Sequence, residues 1–320
     1  MAWREFSAGK MGKTDVLEFK LNLEDNLFRM HRELKDKTYR HSHYTAFSVC
    51  DPKLRRIHKA CVRDRVLHHA VFRALYPIFD KNFIFDSYSC RLGKGAHRAV
   101  TRLEKFCRQL SRSNKKNIFA LKCDIRKYFD SIDQEILLGM IKKKIKDEGA
   151  IWLTEKIIKS FATGLPLGNV TSQLFANIYL NELDQFIKNE LKEKYYLRYC
   201  DDFLILNEDK EYLGKLVFSI GNFLKKELGL DLHPDKIIIR KFRQGVDFLG
   251  YVVLPHYTVL RTKTKRRMLR KIKEKSFLLR EDLISEESFN QSLQSYLGML
   301  GHCRGYNIRK KIGKISDFEL

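Results

Sequence analysis

Two adjacent aspartates, Asp201 and Asp202, interrupt an otherwise apolar run, YYLRYC before them and FLIL after them. Residues 195–200 and 203–206 read as two β-strands joined at this pair, with no glycine to supply the positive φ that tight hairpin turns favour. Such a break in the local rules is characteristic of a functional site. The chain is therefore expected to present two carboxylates at a hairpin tip, on strands that must be buried elsewhere along their length.

A third acid ends another short β-rich run, NIFALKCD at residues 117–124, before a helical stretch over about 133–146. Taken alone, Asp124 reads as a turn former or helix cap. Together with Asp201 and Asp202 it completes a set of hard oxygen ligands that could meet at one sheet edge. Nucleotidyl transfer needs such a set. One divalent ion lowers the pKa of the attacking hydroxyl and a second holds the triphosphate and leaving pyrophosphate.

The charge balance points the same way. Lys and Arg number 62 against 39 Asp and Glu, a formal charge of +23 spread along 320 residues, so a polyanionic partner is expected, with nucleic acid ahead of a membrane surface. No stretch reaches the roughly 18 apolar residues of a spanning helix, and MAWREFSAGKMGK lacks a secretory apolar region, so a cytoplasmic protein with no membrane association is expected. The seven cysteines form no CxxC pair and read as reduced thiols. Only five prolines and no low-complexity run divide the chain, and 44% apolar residues suffice for a shared core.

Helical spacing of apolar residues with Arg and Lys between them predicts basic helices over 21–37 and 54–79. From Thr171, the residues Leu174, Phe175, Ile178, Tyr179, Leu183, Phe186, Ile187 and Leu191 form one stripe, predicting a long helix after the loop 164–168. Residues 246–253 with 259–261 read as a hairpin region, and 263–275 and 289–300 as helices of a separate C-terminal lobe. In the first of these, Lys263, Lys265, Arg266, Arg267, Arg270, Lys271, Lys273 and Lys275 surround Met268, Leu269 and Ile272, opposed only by Glu274. Such broad positive faces suit a nucleic-acid backbone. The histidines, among them His68, His69, His97 and His302, form no metal-binding pattern and are read as structural or phosphate-contacting.

The segments FALKCDIRKYFDSID (119–133), LPLGNVTSQLFANIYLNELD (165–184) and RYCDDFLIL (198–206) resemble the A, B and C motifs of reverse transcriptases, in the family's order. DPKLR (51–55), DRVLHHAVFRALYPIF (64–79), SYSCRLGKGAHRAV (87–100), LHPDK (232–236) and VDFLGYVV (246–253) extend the resemblance over roughly residues 20–310. It implies an α+β right-hand polymerase fold: fingers over 1–115, a palm with an antiparallel sheet over 116–261, and a small helical thumb over 262–320. The implied activity is RNA-directed DNA polymerisation, with two Mg²⁺ ions and dNTP substrates, on an RNA template and RNA/DNA hybrid.

By this resemblance Asp124, Asp201, Asp202 and the carbonyl of Ile125 hold the metals, and Lys236 is the general acid for pyrophosphate. Phe129 is the aromatic gate against a 2′-hydroxyl, where the residue alone would read as ordinary core. Arg91 contacts the triphosphate, with Lys53 and Arg55 as template contacts, and the turn around Gly250 is the primer grip. Where intron and most retroviral enzymes carry Gln-Gly and Ser-Pro, this chain reads Leu167-Gly168 and Ser172-Gln173. It is most similar there to reverse transcriptases of diversity-generating retroelements, within the group II intron-like branch. That likeness implies misincorporation at template adenines and a small basic pentameric accessory protein as partner. Within the same fold the rival is an intron, retron or phage-defence enzyme. From a different class comes an inactive RNA-binding scaffold.

Overall fold

The structure, a computed structural model, describes residues 1–50 and 53–316. Asp51 and Pro52, which begin the DPKLR segment, lie outside the described residues. Three helices open the chain, α1 (Ala2–Ser7), α2 (Thr14–Leu21) and α3 (Leu23–Lys35). The paired strands β1 (Thr45–Cys50) and β2 (Leu54–Lys59) follow, then α4 (Val62–Asp80) and α5 (Ala96–Leu110). The single helix expected over 54–79 is thus a strand and a helix. Leu54, Ile57 and Cys61 mimic helical spacing, but LRRIHK pairs antiparallel with β1 from Thr45↔Lys59 to Cys50↔Leu54, which satisfies its main chain without helix.

Next come β3 (Phe119–Asp124), α6 (Tyr128–Ser131), α7 (Gln134–Lys144), α8 (Glu148–Ile158) and α9 (Val170–Gln185), whose last turn widens into a π-helical Phe186–Glu190. The hairpin β4 (Tyr196–Tyr199) and β5 (Asp202–Asn207) precedes α10 (Lys210–Leu228) and β6 (Ile238–Lys241). The remainder is a three-stranded meander, β7 (Val246–Phe248), β8 (Tyr251–Val253) and β9 (Thr258–Leu260), and three helices, α11 (Thr262–Arg280), α12 (Glu286–Leu300) and α13 (Tyr306–Ser316). Among the described residues no helix is long and apolar enough to cross a membrane.

The central sheet is antiparallel in the order β4-β5-β3-β6, so β3 is flanked by the hairpin on one side and β6 on the other. Alternation along the strands sorts the side chains into two cores. Leu121, Cys123, Phe203 and Ile205 face a core built with α7, α9 and α10, while Ala120, Leu204 and Leu206 face one built with α5, the meander and α11–α13. Met268 and Ile272 of α11, Phe289 and Leu293 of α12 and Ile312 of α13 are buried in the same cluster as Phe248 and Leu204. The C-terminal helices thus share buried apolar contacts with the sheet and the meander.

Candidate active site

Strand pairing sets Asp124 directly across from Asp202, the last residue of β3 against the first of β5. Opposed residues on one face of an antiparallel pair hold their Cβ atoms about 4.5–5.5 Å apart, so two carboxylates distant in sequence meet at one sheet edge. The β4–β5 connection is a two-residue turn in which Tyr199 opposes Asp202. Its tip is therefore Cys200-Asp201, one residue earlier than expected, and Asp202 belongs to the strand. Cys200 alone in the turn takes a positive φ, 56°. A side chain there costs roughly 1–2 kcal/mol, so the surroundings must hold the turn in place.

Arg198 does so. Its guanidinium is fully buried on β4 and donates to both oxygens of Asp184 at 2.8 and 2.6 Å, to Asn177 Oδ1 at 3.2 Å and to the Cys200 carbonyl at 3.0 Å. Tyr196 adds a hydrogen bond to Asp184 at 2.6 Å. The main chain of Arg198 is held on its other side, its N–H donating to Asp86 O and its carbonyl accepting from the Tyr88 N–H, each at 2.9 Å. The sequence signal for this residue is a lone arginine within an otherwise apolar strand.

The three acids are short of positive charge. Burial, then the proximity of Asp124, pushes the Asp201 carboxyl above its ordinary range. Burial pushes Asp202 up to about 6, against the pull of Lys122, and both neighbouring acids add to the rise. Asp202 Oδ1 is buried with no hydrogen-bond partner, and such an orphaned carboxylate oxygen fits a site that receives a cation. Ammonium groups supply part of that charge: Lys236 Nζ lies 2.5 Å from Asp124 Oδ1 and Lys122 Nζ 3.1 Å from Asp202 Oδ2. In this arrangement no three His, Cys, Asp or Glu side chains among the described residues close on a common point. The hard-oxygen donor set and the orphaned oxygen fit divalent cations once Lys236 yields Asp124, with Asp202 Oδ1 open while Lys122 stays on Oδ2.

Ile125 is buried and opposes Leu232 in an isolated antiparallel bridge. Arg126 N–H donates to Asp231 O and His233 N–H to Asp124 O, so the bridge is of the kind whose paired residues do not bond each other. Ile125 therefore directs its own carbonyl away from Leu232, toward the side where β5 and the acid turn lie. A cleft of about 350 Å³ opens here, lined by Asp124, Asp202, Lys53, Lys122, Lys236 and Arg261 among others. Lys122 and Arg261 were not foreseen, although alternation in FALKCD places Lys122 on the face of Asp124.

Phe129 is half-buried at the start of α6, its ring 5.4 Å from that of Tyr128. Its carbonyl accepts from Leu165 N–H at 2.8 Å, which ties the segment after Asp124 to the 164–168 loop. That loop is docked on β2, with the Leu167 carbonyl accepting from His58 N–H at 2.8 Å and Asn169 donating to His58 O at 2.9 Å. Leu167 is half-buried, Gly168 lies against the Ile57 side chain, and Gln173 is exposed in the first turn of α9. The 249–250 turn joins β7 to β8 with both residues at positive φ, 50° and 88°.

Arg91 is elsewhere employed. Its guanidinium donates to Asp80 Oδ1 at 2.7 Å, to the carbonyls of Ile84 and Ser87 at 2.6 and 3.1 Å, and to Asp80 O at 3.4 Å, with the side chain 7% exposed. This arginine fastens the loop after α4, its fork engaged on four sides in this structure. His68 is buried against His41, their Nε2 atoms 3.1 Å apart, and His97 stacks on His302.

Residues 48–253 match the family described as reverse transcriptase (RNA-dependent DNA polymerase). Among curated relatives, the chain is 25% identical over 241 residues to protein YkfC of Escherichia coli, an alignment covering 62% of this chain and 63% of the relative. It is 24% identical over 303 residues to the group II intron-encoded protein LtrA of Lactococcus lactis, covering 71% and 49%. To the retron Ec73 reverse transcriptase of E. coli it is 28% identical over 204 residues, covering 59% and 63%. The chain thus spans less than two thirds of the length of these relatives. A telomerase from Candida tropicalis with a fragment of telomeric RNA superposes with a TM-score of 0.57 at 14% identity, over 88% of this chain and 56% of that one. This likeness concerns the fold alone, the right-hand polymerase arrangement of palm sheet, fingers and helical thumb. With nearly two thirds of its length matched, the chain belongs to the reverse transcriptase family.

Proposed function

We propose that this chain is an RNA-directed DNA polymerase. The observation that carries the proposal is the pairing of Asp124 with Asp202 across β3 and β5, with Asp201 at the adjoining turn and Asp202 Oδ1 left without a partner. Asp124, Asp201, Asp202 and the Ile125 carbonyl would hold two Mg²⁺ ions. When bound, these lower the pKa of the primer 3′-hydroxyl and neutralise the triphosphate. Lys236, once freed from Asp124, would donate a proton to departing pyrophosphate. Phe129, at the mouth of the α6 turn, is the steric gate against a 2′-hydroxyl. The positive faces of α11 follow the template–primer backbone, whose phosphates make binding salt-dependent. Primer extension on a defined RNA with dNTPs and Mg²⁺ tests this. The wild type extends, and Asp201→Asn does not. A wild-type protein that binds RNA yet never extends a primer would leave the scaffold reading.

Within that activity, the residues Leu167, Ser172 and Gln173 support the diversity-generating reading over an ordinary intron or retron enzyme. An aliphatic side chain at 167 offers no donor or acceptor where an amide would help align the templating pair, and relaxed selection follows. On this reading the protein copies a template-repeat RNA with errors at adenines and works with a small basic pentameric partner. Sequencing cDNA from a defined RNA, with Leu167→Gln alongside, gives errors concentrated at template adenines that fall in the variant. Errors spread evenly over all four bases would remove this assignment and leave the polymerase.

A further inference from the structure

Lys122 stands two residues before Asp124 and is absorbed by none of the roles above. Its ammonium lies 3.1 Å from Asp202 Oδ2 and donates to the main-chain carbonyl of Asp247, on β7, at 3.2 Å. The side chain is only 20% exposed, and its Nζ lies 5.9 Å from the centre of the Phe248 ring. It is therefore held between the sheet and the meander, and does not extend into solvent.

The contacts continue beyond it. The Asp247 carboxylate pairs with the Arg261 guanidinium. Arg261 precedes the first residue of α11, and its own N–H donates to the carbonyl of Gly250 at 2.9 Å. An unbroken polar path thus runs from Asp202 through Lys122, Asp247 and Arg261 to the 249–250 turn and the start of the thumb helix. Every link joins a different element: β5, β3, β7, and the junction of β9 with α11.

We propose that Lys122 is a positioning residue of the polymerase reaction, the strut that fixes the 249–250 turn and the thumb at a set distance from the catalytic acids. The inference rests on the polymerase reading and on the turn's being the place where the primer terminus is held. A primer end displaced by about 1 Å from its line of attack can cost up to about a hundredfold in rate while binding is little changed. In this role Lys122 acts through geometry, by way of Asp202 and Asp247. Methionine, of similar length, removes both contacts without leaving a gap, whereas arginine retains a cation and donors.

The test is a comparison of Lys122→Met, Lys122→Arg, Arg261→Met and the double variant Lys122→Met/Arg261→Met in single-nucleotide primer extension. The expected result for Lys122→Met is a loss of at least tenfold in kcat, with the primer–template dissociation constant changed less than about threefold and activity largely restored in Lys122→Arg. Because Lys122 and Arg261 lie on one path, the double variant should be no slower than the worse single variant, the mark of coupled sites. Equal losses in both methionine and arginine variants, additive losses in the double variant, or a loss confined to primer affinity would each overturn the proposal. Amide hydrogen exchange over residues 246–250 serves as the readout free of catalysis. Faster exchange there in Lys122→Met, with an unchanged melting temperature, is expected even if the wild type proves inactive. Unchanged exchange refutes the strut, while an inactive wild type refutes only the polymerase reading.

Discussion

Gly164 and Gly229 share a backbone conformation, with φ of 64° and 61°, yet their surroundings differ completely. A Cβ on Gly229 would meet nothing within 4 Å, whereas one on Gly164 would stand 2.2 Å from the Phe129 carbonyl oxygen and 2.8 Å from the Cα and carbonyl carbon of Asp130. Alanine at either site incurs the left-handed penalty of roughly 1–2 kcal/mol. Only at 164 must main chain also move, by about 1 Å to reach ordinary contact. That movement strains the bond from Leu165 N–H to Phe129 O, worth about 1 kcal/mol, and adds an overpacking cost of roughly 1–3 kcal/mol. Gly164→Ala should therefore be less stable than Gly229→Ala by about 2–4 kcal/mol, read from urea unfolding midpoints at unchanged slope. The displaced segment carries Phe129, so activity should fall further than stability explains, and only at 164. Equal destabilisation of the two variants within about 0.5 kcal/mol would refute the argument, since it would mean that the loop yields freely and that nothing couples it to the residues after Asp124.

Three further outcomes follow from particular side chains. Arg198→Met leaves the Asp184 carboxylate buried without its partner and should cost about 3–5 kcal/mol, measured by chemical unfolding, with the Cys200 turn losing its support. His68 is held down to about 3, first by burial and then by His41, with His69 and Arg65 adding and Asp64 opposing. The unfolded chain therefore takes up a proton that the folded chain refuses between about pH 6.5 and 3, so stability is complete above that window and falls as pH drops through it. Between pH 6.5 and 5.5 the wild type should lose about 1 kcal/mol that His68→Leu does not, and parallel pH profiles would rule this out. Phe129→Ala should admit ribonucleotides in primer extension while dNTP incorporation persists, and unaltered sugar discrimination would return Phe129 to the core.

What could be read from the chain depended on how local the signal was. The acid hairpin was legible because Asp201 and Asp202 contradict their own neighbours, and α9 because its stripe repeats over many residues. The N-terminal hairpin was not, since Leu54, Ile57 and Cys61 satisfy a helical period and not strand alternation, and only pairing with residues 45–50 overrides it. α10 carries good end signals in the sequence: Asp209 accepts from the N–H groups of Glu211 and Tyr212, and Gly229 closes the far end in the left-handed conformation.

Arg91 and Lys122 show the harder limit. Both are cations inside or beside matched motifs, and composition gives no reason to separate them in a chain with 62 lysines and arginines. What separates them is the acceptor that each meets. Arg91 meets Asp80 and two nearby carbonyls within eleven positions, a closure confined to the end of α4 and the loop after it. Lys122 meets a carbonyl 125 positions away, brought beside it only because the meander and the sheet share one core. A basic residue's role here is decided by which acceptors the folded core leaves within its reach. The same logic explains the acids, whose two lysine partners neutralise the cleft on one side while Asp202 Oδ1 is left open on the other.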